Sequence, residues 1–154
     1  MRRRAEITLS FELDVDPEAL WARITDPAGI NDELRPLMRM TVPAGARDFG
    51  LDDPEPGPIG RSWLLLFGFL PFDYDDLVLV QLEPGRGFHE GSTMLSMRSW
   101  EHERWIEPAG EAACTLRDRL TFVPRLPLPL TPAVRAVFRH RHRRLRKRFG
   151  GAPA

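Results

Sequence analysis

The sequence predicts an α+β fold in which a curved antiparallel sheet of about seven strands grips a long C-terminal helix, with two short helices after the first strand. Three observations lead to this prediction. Most of the chain has strand-like patterns joined by short connections, which favour antiparallel neighbours. Two short helical patterns follow the first strand, and a long one ends the chain. A length of 154 residues suits a single domain over residues 1–154.

The composition is that of a globular chain whose charge is divided along its length. The formal net charge is +0, yet all 22 acidic residues precede position 131, and seven arginines and one lysine follow it. No stretch approaches the roughly 18 apolar residues of a membrane span, and the basic start is not followed by an apolar signal-peptide core. We therefore expect a cytoplasmic protein without a membrane span. The single cysteine, Cys114, excludes an intrachain disulfide and a cysteine-rich zinc site.

The first elements are defined by alternation and by capping signals. Strict alternation of apolar and polar residues over 5–13 predicts a half-buried strand. Asp16 is a suitable N-cap and Pro17 a suitable first residue for a short helix over residues 17–25. A second short helix is predicted over residues 28–34, after the Asp-Pro pair that ends the first.

Six further strands are predicted after these helices. They cover residues 38–42, 61–70, 77–82, 88–97, 98–107 and 112–123. Residues 43–60 are rich in proline, glycine and acids, so they are predicted to form a long surface loop, and residues 71–76 a connection.

The terminal helix is predicted over residues 132–149, with Thr131 as N-cap and Gly150 as the stop. An apolar stripe at helical spacing predicts the face that it buries against the sheet. The stripe consists of Val134, Val137, Phe138, Leu145 and Phe149. Arg141 lies near the centre of this stripe, where it could meet Asp118 or a negative group on a ligand, or extend past the helix edge to solvent.

Two registers are open for the hairpin formed by the last two predicted strands. In one, His102, Arg104 and Asp118 face the interior; a slip by one residue turns Glu101 and Glu103 inward instead. We favour the first register, because two unpaired interior carboxylates would be costly. In that register His102 can be buried neutral and Arg104 can pair with Asp118.

Residues 11–21, 100–108, 115–122 and the terminal helix resemble the START-like, helix-grip superfamily, also called SRPBCC. This superfamily includes polyketide cyclases, aromatases, lipid-transfer domains and plant pollen allergens. The two middle segments are similar to a bacterial branch with a Trp-x-His pattern followed by Thr-x-x-Asp-Arg-x-x-Tyr/Phe, although Arg104 stands where that branch often has a second histidine. The resemblance implies a deep hydrophobic cavity between sheet and terminal helix, in members that range from catalysts to passive carriers.

Two sets of site residues follow. His102, Arg104 and Asp118 are the candidate catalytic set, with His102 as proton donor or acceptor, or else a satisfied polar network that pins the hairpin. The candidate ligand-binding residues are Trp63, Phe67, Trp100, Leu116, Leu120, Phe138 and Arg141. His140 and His142 have no carboxylate neighbour on their own helix, so no metal site is expected, and no cofactor is indicated.

Three functions remain open at this point. The first is binding or transport of a hydrophobic small molecule of the lipid, polyketide or isoprenoid type. The second is a cyclase- or aromatase-like enzyme that uses His102 and Arg104. The third is binding of anionic lipid or nucleic acid by the basic terminal helix. That helix lacks interleaved aromatic residues, so no nucleic-acid partner is expected. The pattern indicates no oligomeric state.

Overall fold

The computed structural model describes residues 4–43 and 56–151. Its elements, in chain order, are β1 (Ala5–Leu13), α1 (Pro17–Ile24), α2 (Pro27–Leu34), β2 (Met38–Met40), β3 (Gly57–Leu66), β4 (Leu70–Glu83), β5 (Gly87–Met94), β6 (Met97–Pro108), β7 (Cys114–Pro124) and α3 (Thr131–Phe149). Most of the loop predicted over residues 43–60 lies outside the described residues, and its last part is strand β3.

The described strands form one sheet in the order β1-β7-β6-β5-β4-β3-β2, and every neighbouring pair is antiparallel. The sheet curls into a half-barrel, and α3 packs against it and against α2. The predicted α+β class, with two short helices after the first strand, is confirmed. Successive side chains along each strand point to opposite faces of the sheet. The residues of the inner face therefore form both the core and the walls of any space under α3.

Helix capping follows the sequence at α1 and departs from it at α3. The side chain of Asp16 accepts a hydrogen bond from the backbone N–H of Ala19 at 2.9 Å, as predicted. The predicted cap at Thr131 is wrong, because Thr131 already has helical geometry and Leu130 precedes it without a side-chain cap. Gly150 ends the helix at a positive φ of 84°, which glycine adopts without the steric cost of a Cβ.

The predicted connection over residues 71–76 is wrong, because these residues begin β4. The turn lies earlier, where Phe67 and Gly68 take positive φ values of 55° and 89°. The hydropathy pattern of this segment is misleading because acidic residues are buried and an apolar residue is exposed. Asp73 and Asp75 are buried, whereas Phe72 is 43% exposed. When only hydropathy is considered, a strand whose inward positions are acidic cannot be distinguished from a solvent-exposed connection.

The hairpin β6–β7 adopts the favoured register. Arg104 is opposite Asp118, and His102 is opposite Leu120. These four side chains are buried, while the outward positions Glu101 and Glu103 keep partial exposure. The hairpin therefore brings a histidine, an arginine and an aspartate into the interior of the half-barrel.

Candidate functional site

A cavity of about 350 Å³ lies between the inner face of the sheet and α3. Most of its lining is apolar and includes Met40, Leu64, Met94, Met97, Trp100 and Phe138. Phe72 also lines it and is partly exposed, so the cavity reaches the surface there. Ala133, Val134 and Val137 of α3 supply the opposite wall.

A smaller cavity of about 90 Å³ adjoins the larger one on the side of α1 and α2. The two share Met40, Glu90, His102 and Arg141 as lining residues. Three of these four are polar, and Asp73, Asp75 and Ser96 add further polar groups to the wall of the larger cavity. A ligand in the large cavity would have an apolar body and at least one polar group.

Behind the boundary between the two cavities, Asp118 is the acceptor in a buried hydrogen-bond network. Its Oδ1 accepts from Nε2 of His102 and from Nε of Arg104, both at 2.7 Å. Its Oδ2 accepts from Nη2 of Arg104 at 2.9 Å and from Nε2 of His142. The Arg104 contact is bidentate, the arrangement that matches a planar guanidinium to a carboxylate. The network joins β6, β7 and α3 through one carboxylate.

Glu33 of α2 is the second carboxylate of the network. It accepts from Nη1 of Arg104 at 2.8 Å and from Nε of Arg141 at 3.1 Å. The Arg141 guanidinium also lies 4.9 Å from the ring centre of Phe138. Two buried arginines are thus balanced by two buried carboxylates, which satisfies the requirement that interior charges be paired. Arg104 is fully enclosed by its partners and does not line either cavity.

His102 connects the network to the cavity. Because ionised Asp118 can only accept, the His102 nitrogen bonded to it carries the proton. The other nitrogen, Nδ1, lies 3.9 Å from Oε2 of Glu90, beyond hydrogen-bond distance. A neutral His102 therefore presents an acceptor nitrogen at the boundary of the two cavities, next to a carboxyl group.

The pKa values of Asp118 and His102 are both lowered, but burial acts on them in opposite senses. Burial would raise the pKa of Asp118, but the charge of Arg104 and the hydrogen bonds from His102 and His142 outweigh it and hold that pKa well below its usual value. Burial lowers the pKa of His102, and the nearby Arg104 and Arg141 lower it further against the opposing pull of Asp118. At neutral pH the pair is therefore an ionised Asp118 and a neutral His102.

Two carboxyl groups on the cavity wall have raised pKa values. Burial raises the pKa of Glu90 to about 8, and repulsion from Asp75 adds to it. Burial likewise raises the pKa of Asp75 to about 7, with a smaller contribution from the charges of Asp73 and Asp76. Near neutral pH, Glu90 is mainly a protonated acid that can donate as well as accept a hydrogen bond.

The predicted site residues fall into four groups, of which three lie in the interior. Trp100, His102, Phe138 and Arg141 line the large cavity. Arg104 and Asp118 lie behind its wall, and Leu116 and Leu120 are fully buried core residues packed in the apolar clusters.

Trp63 and Phe67 lie away from the cavity and are 42% and 63% exposed. Trp63 points to the outer face of β3, edge-on to Tyr74, because its neighbours Ser62 and Leu64 take the inward positions. Phe67 lies in the β3–β4 turn, beyond the end of the strand.

Four residues of the candidate site were not predicted from the sequence: Glu33, Asp75, Glu90 and His142. A signal existed for two of them. Glu90 is separated by an even number of positions from Phe88 and Met94 on the same strand, which face inward, so it lies on the same face. His142 follows Phe138 by four residues on the buried stripe of α3. The expectation that His142 finds no carboxylate was wrong, because the partner comes from β7 and not from its own helix. Glu33 gave no such signal, since its partners lie far away in the chain.

The chain is similar over nearly its whole length to solved structures of low sequence identity. Protein CV1439 from Chromobacterium violaceum has a TM-score of 0.72 at 14% identity, with 96% of this chain and 98% of that chain covered. A START superfamily protein from Mycobacterium smegmatis has a TM-score of 0.68 at 16% identity, with 94% and 96% covered. Ara h 8.0201 has a TM-score of 0.62 at 11% identity, with 94% of each chain covered. The expected START-like, helix-grip fold is confirmed.

Comparison with family models gives one match, described as "Domain of unknown function (DUF8410)", over residues 11–149. No curated protein matches the sequence. Within residues 4–43 and 56–151, no helix is long and apolar enough to cross a membrane.

Proposed function

The chain belongs to the DUF8410 family, a domain of unknown function, and from the geometry of its cavity we propose that it binds a hydrophobic small molecule between the sheet and α3. The observation that carries the proposal is the cavity of about 350 Å³ with mainly apolar walls and a few polar groups. Small-molecule sites in proteins span about 300–1,000 Å³ and combine apolar lining with a few placed polar groups. A lipid, polyketide or isoprenoid type of ligand fits this description.

The position of α3 supports the same proposal. Val134 and Val137 keep partial exposure although they lie on the inward stripe of the helix. A helix packed directly on a sheet would bury such residues completely, so their exposure is to the cavity that they line. A bound apolar ligand would remove this surface from water, at about 25 cal/mol for each Å² covered.

Binding can be tested with the purified protein and a neutral apolar dye, N-phenyl-1-naphthylamine, whose fluorescence rises in apolar surroundings. Ala133 lines the cavity, whereas Ala136 lies three residues along the same helix in a surface groove of α3. We expect Ala133→Trp to weaken dye binding by about tenfold or more by filling the cavity, and Ala136→Trp to leave it unchanged. Equal binding by both variants and the wild type would contradict a site under α3.

Native mass spectrometry of the protein purified from cells supplies a second test. A ligand that the cell provides is expected as a discrete mass above that of the chain. Its release on denaturation allows its identification by fragmentation. The same species should be reduced in the Ala133→Trp variant and retained in Ala136→Trp.

One observation favours a second candidate, proton transfer to a bound substrate. Nδ1 of His102 is an acceptor at the cavity boundary, and its proton-bearing Nε2 is fixed by Asp118 at 2.7 Å. A positioned, neutral imidazole beside a protonated carboxyl group is a pair suited to general acid–base chemistry. In this reading His102 and Glu90 exchange protons with the substrate, and Arg104, which is enclosed by carboxylates, only positions Asp118.

Comparison of the bound molecules distinguishes an enzyme from a carrier. The Gln amide of a His102→Gln variant can still donate to Asp118 but cannot take up a proton. An enzyme would co-purify with different molecules in the wild type and the variant, for example a pair related by loss of water. A carrier would retain one molecule of unchanged mass in both.

The basic charge of α3 does not lead us to a nucleic-acid or anionic-lipid proposal. Arg141 is paired with Glu33, and Arg144 is paired with Asp32 at 3.0 Å. These contacts support the simpler role of the charges, which is attraction between α3 and the acidic α2 beneath it.

A further inference from the structure

The cavity wall contains a buried carboxylate without a partner. Asp75 is 4% exposed and lines the cavity, and in the part of the chain that the structure describes no donor reaches its Oδ1 with hydrogen-bond geometry. The hydroxyl of the buried Ser92 is unpaired in the same sense; it lies close enough to lower the pKa of Asp75, but it is uncharged and does not complete a hydrogen bond with Oδ1. Buried polar atoms are nearly always satisfied, so an unsatisfied carboxylate oxygen that faces a cavity indicates a missing donor.

Asp73 and Glu90 lie on the same cavity wall but differ in their contacts. Asp73 is satisfied, because its carboxylate accepts from the backbone N–H of Tyr74 at 2.8 Å and from the backbone N–H and hydroxyl of Ser96. Glu90 has no hydrogen-bond donor among the described side chains that surround it; its nearest ionic neighbour is His102 Nδ1, at 3.9 Å. Among the described residues of the cavity wall, Asp75 and Glu90 are therefore the two acids whose carboxyl oxygens can accept a hydrogen bond from a ligand.

The cations of the interior do not compensate for these two acids. Arg104 is enclosed by Glu33 and Asp118, and Arg141 donates to Glu33 and lies over Phe138. The two arginines and their two carboxylates already balance. Ionisation of Asp75 or Glu90 would thus add uncompensated negative charge to the cavity wall.

We propose that the ligand of this cavity is an amphiphile with a protonated amine, whose N–H groups donate to Asp75 and Glu90 while its apolar part lies along α3. The inference rests on the proposed binding function and specifies the class of ligand. The ammonium supplies a hydrogen-bond donor for Oδ1 of Asp75 and a positive charge opposite the acidic wall. Hydrogen bonds between charged groups contribute about 1.5–3 kcal/mol each, which corresponds to about 10- to 100-fold in affinity.

The binding is linked to pH through the same two acids. The pKa of Asp75 is about 7 and that of Glu90 about 8, so an ammonium that binds their ionised forms displaces protons. The charged and titratable groups around them are Asp73 on β4, His102 and Arg104 on β6, Asp118 on β7 and Arg141 on α3, with Asp76 on the outer face of β4. Affinity for an amine is therefore expected to rise between pH 6 and pH 8.5, whereas affinity for an alcohol should not.

The test compares three ligands of equal chain length, decylamine, 1-decanol and decanoate, by displacement of N-phenyl-1-naphthylamine and by calorimetry. At pH 8, we expect decylamine to bind about tenfold or more tightly than 1-decanol, with decanoate weakest, and to release protons on binding. Asp75→Asn and Glu90→Gln should each reduce this preference, and the double variant should abolish it while 1-decanol still binds.

The matched control is Asp76→Asn, which removes the same charge one residue away. Asp76 lies on the outer face and pairs with Arg61, so its loss should leave the preference for the amine unchanged. Equal affinity of the wild type for decylamine and 1-decanol would overturn the inference and leave the proposed binding function in place. Failure to bind the dye and all three ligands would overturn both. If Asp75→Asn does not fold, Glu90→Gln alone decides, because its amide preserves the shape of the glutamate.

Discussion

Nε2 of His102 lies 2.7 Å from Oδ1 of Asp118, and this bond sets the chemical state of the cavity boundary. Asp118 is ionised, so its acceptor role fixes the His102 proton on Nε2 and leaves Nδ1 without one. The same carboxylate receives the bidentate contact of Arg104 and a bond from His142. One buried acid thus fixes a tautomer, neutralises an arginine and attaches α3 to the sheet.

We expect Asp118→Asn to destabilise the protein strongly. The amide cannot balance the charge of the buried Arg104, and its NH₂ group cannot accept the bonds that a carboxylate oxygen accepts. Breaking one side of a buried ion pair costs about 3–5 kcal/mol. Urea unfolding followed by tryptophan fluorescence measures the loss.

The control for this prediction is Asp32→Asn, which removes a carboxylate from a partly exposed pair with Arg144. Its expected cost is below about 1 kcal/mol. Equal losses in the two variants would show that the Asp118 network contributes no more than a surface ion pair.

The register of the β6–β7 hairpin could be predicted from the sequence, because only one of the two registers avoids turning Glu101 and Glu103 into the interior. A slip would have buried Glu101 and Glu103 without partners, and the observed pairing of Arg104 with Asp118 follows from avoiding that cost. The partners Glu33 and His142 could not be predicted in the same way. Each comes from a different helix, and which helix residue meets the sheet depends on how the helices pack, which strand periodicity does not determine.

The contribution of His102 to stability is expected to fall as the pH decreases below about 6.5, while Glu90 and Asp75, whose pKa values are raised, contribute in the opposite sense. The pKa of His102 is lowered in the folded protein, so the unfolded chain takes up a proton at a higher pH than the native state does. Asp118, whose pKa is held low, adds a further loss at more acidic pH for the same reason. Urea midpoints of the wild type and of a His102→Gln variant, measured between pH 7.5 and pH 4.5, isolate the contribution of His102.

Between pH 6.5 and pH 5 the His102→Gln variant should gain stability relative to the wild type, because the residue that resists protonation is gone. The loss due to Asp118 should remain at lower pH. An unchanged slope above pH 5 would mean that His102 does not titrate as its burial predicts.

Glu90→Gln is expected to stabilise the unliganded protein at pH 8 by about 1–2 kcal/mol. The pKa of Glu90 is raised to about 8, so the folded state resists an ionisation that the unfolded chain undergoes near pH 4. Stability contributed by the protonated acid is therefore complete at low pH and is lost as the pH rises toward 8. The 16% exposure of the Glu90 side chain moderates the cost.

The gain should nearly vanish at pH 4.5, where glutamic acid and glutamine are both neutral. Thermal unfolding of the two proteins at pH 4.5 and pH 8 measures the difference. A stabilisation that is equal at both pH values would reflect packing and not the charge of Glu90.

The acidic wall of the cavity illustrates why the site was harder to predict than the fold. Asp73 and Asp75 are buried and alternate with the exposed Phe72, so at the start of β4 the buried positions are polar and an exposed one is apolar. Hydropathy alternation identifies strands whose apolar side faces the core, and it fails where the interior is a binding cavity. The wrongly predicted segment, residues 71–76, therefore contains Asp75, one of the two residues proposed to bind the ligand.

Cys114 is expected to be inert toward thiol reagents in the folded protein. It is fully buried between β1 and β6, opposite Leu13 on one side and Pro108 on the other. Burial raises the pKa of its thiol to about 11, and the nearby charge of Asp16 adds to this, so little of the reactive thiolate exists at pH 8. Labelling by iodoacetamide at pH 8 should be at least about 100-fold slower in buffer than in 6 M urea.

This inertness makes Cys114 a reporter for ligand binding. A ligand that binds only the folded state reduces the population of open molecules by the factor 1 + [L]/Kd, so labelling in low urea should slow by that factor. The Ala133→Trp variant, with its cavity filled, should show no such slowing on addition of N-phenyl-1-naphthylamine. Rapid labelling of the native protein, with or without the dye, would mean that the β1–β7–β6 part of the sheet opens without global unfolding, and Cys114 could not then report on the cavity.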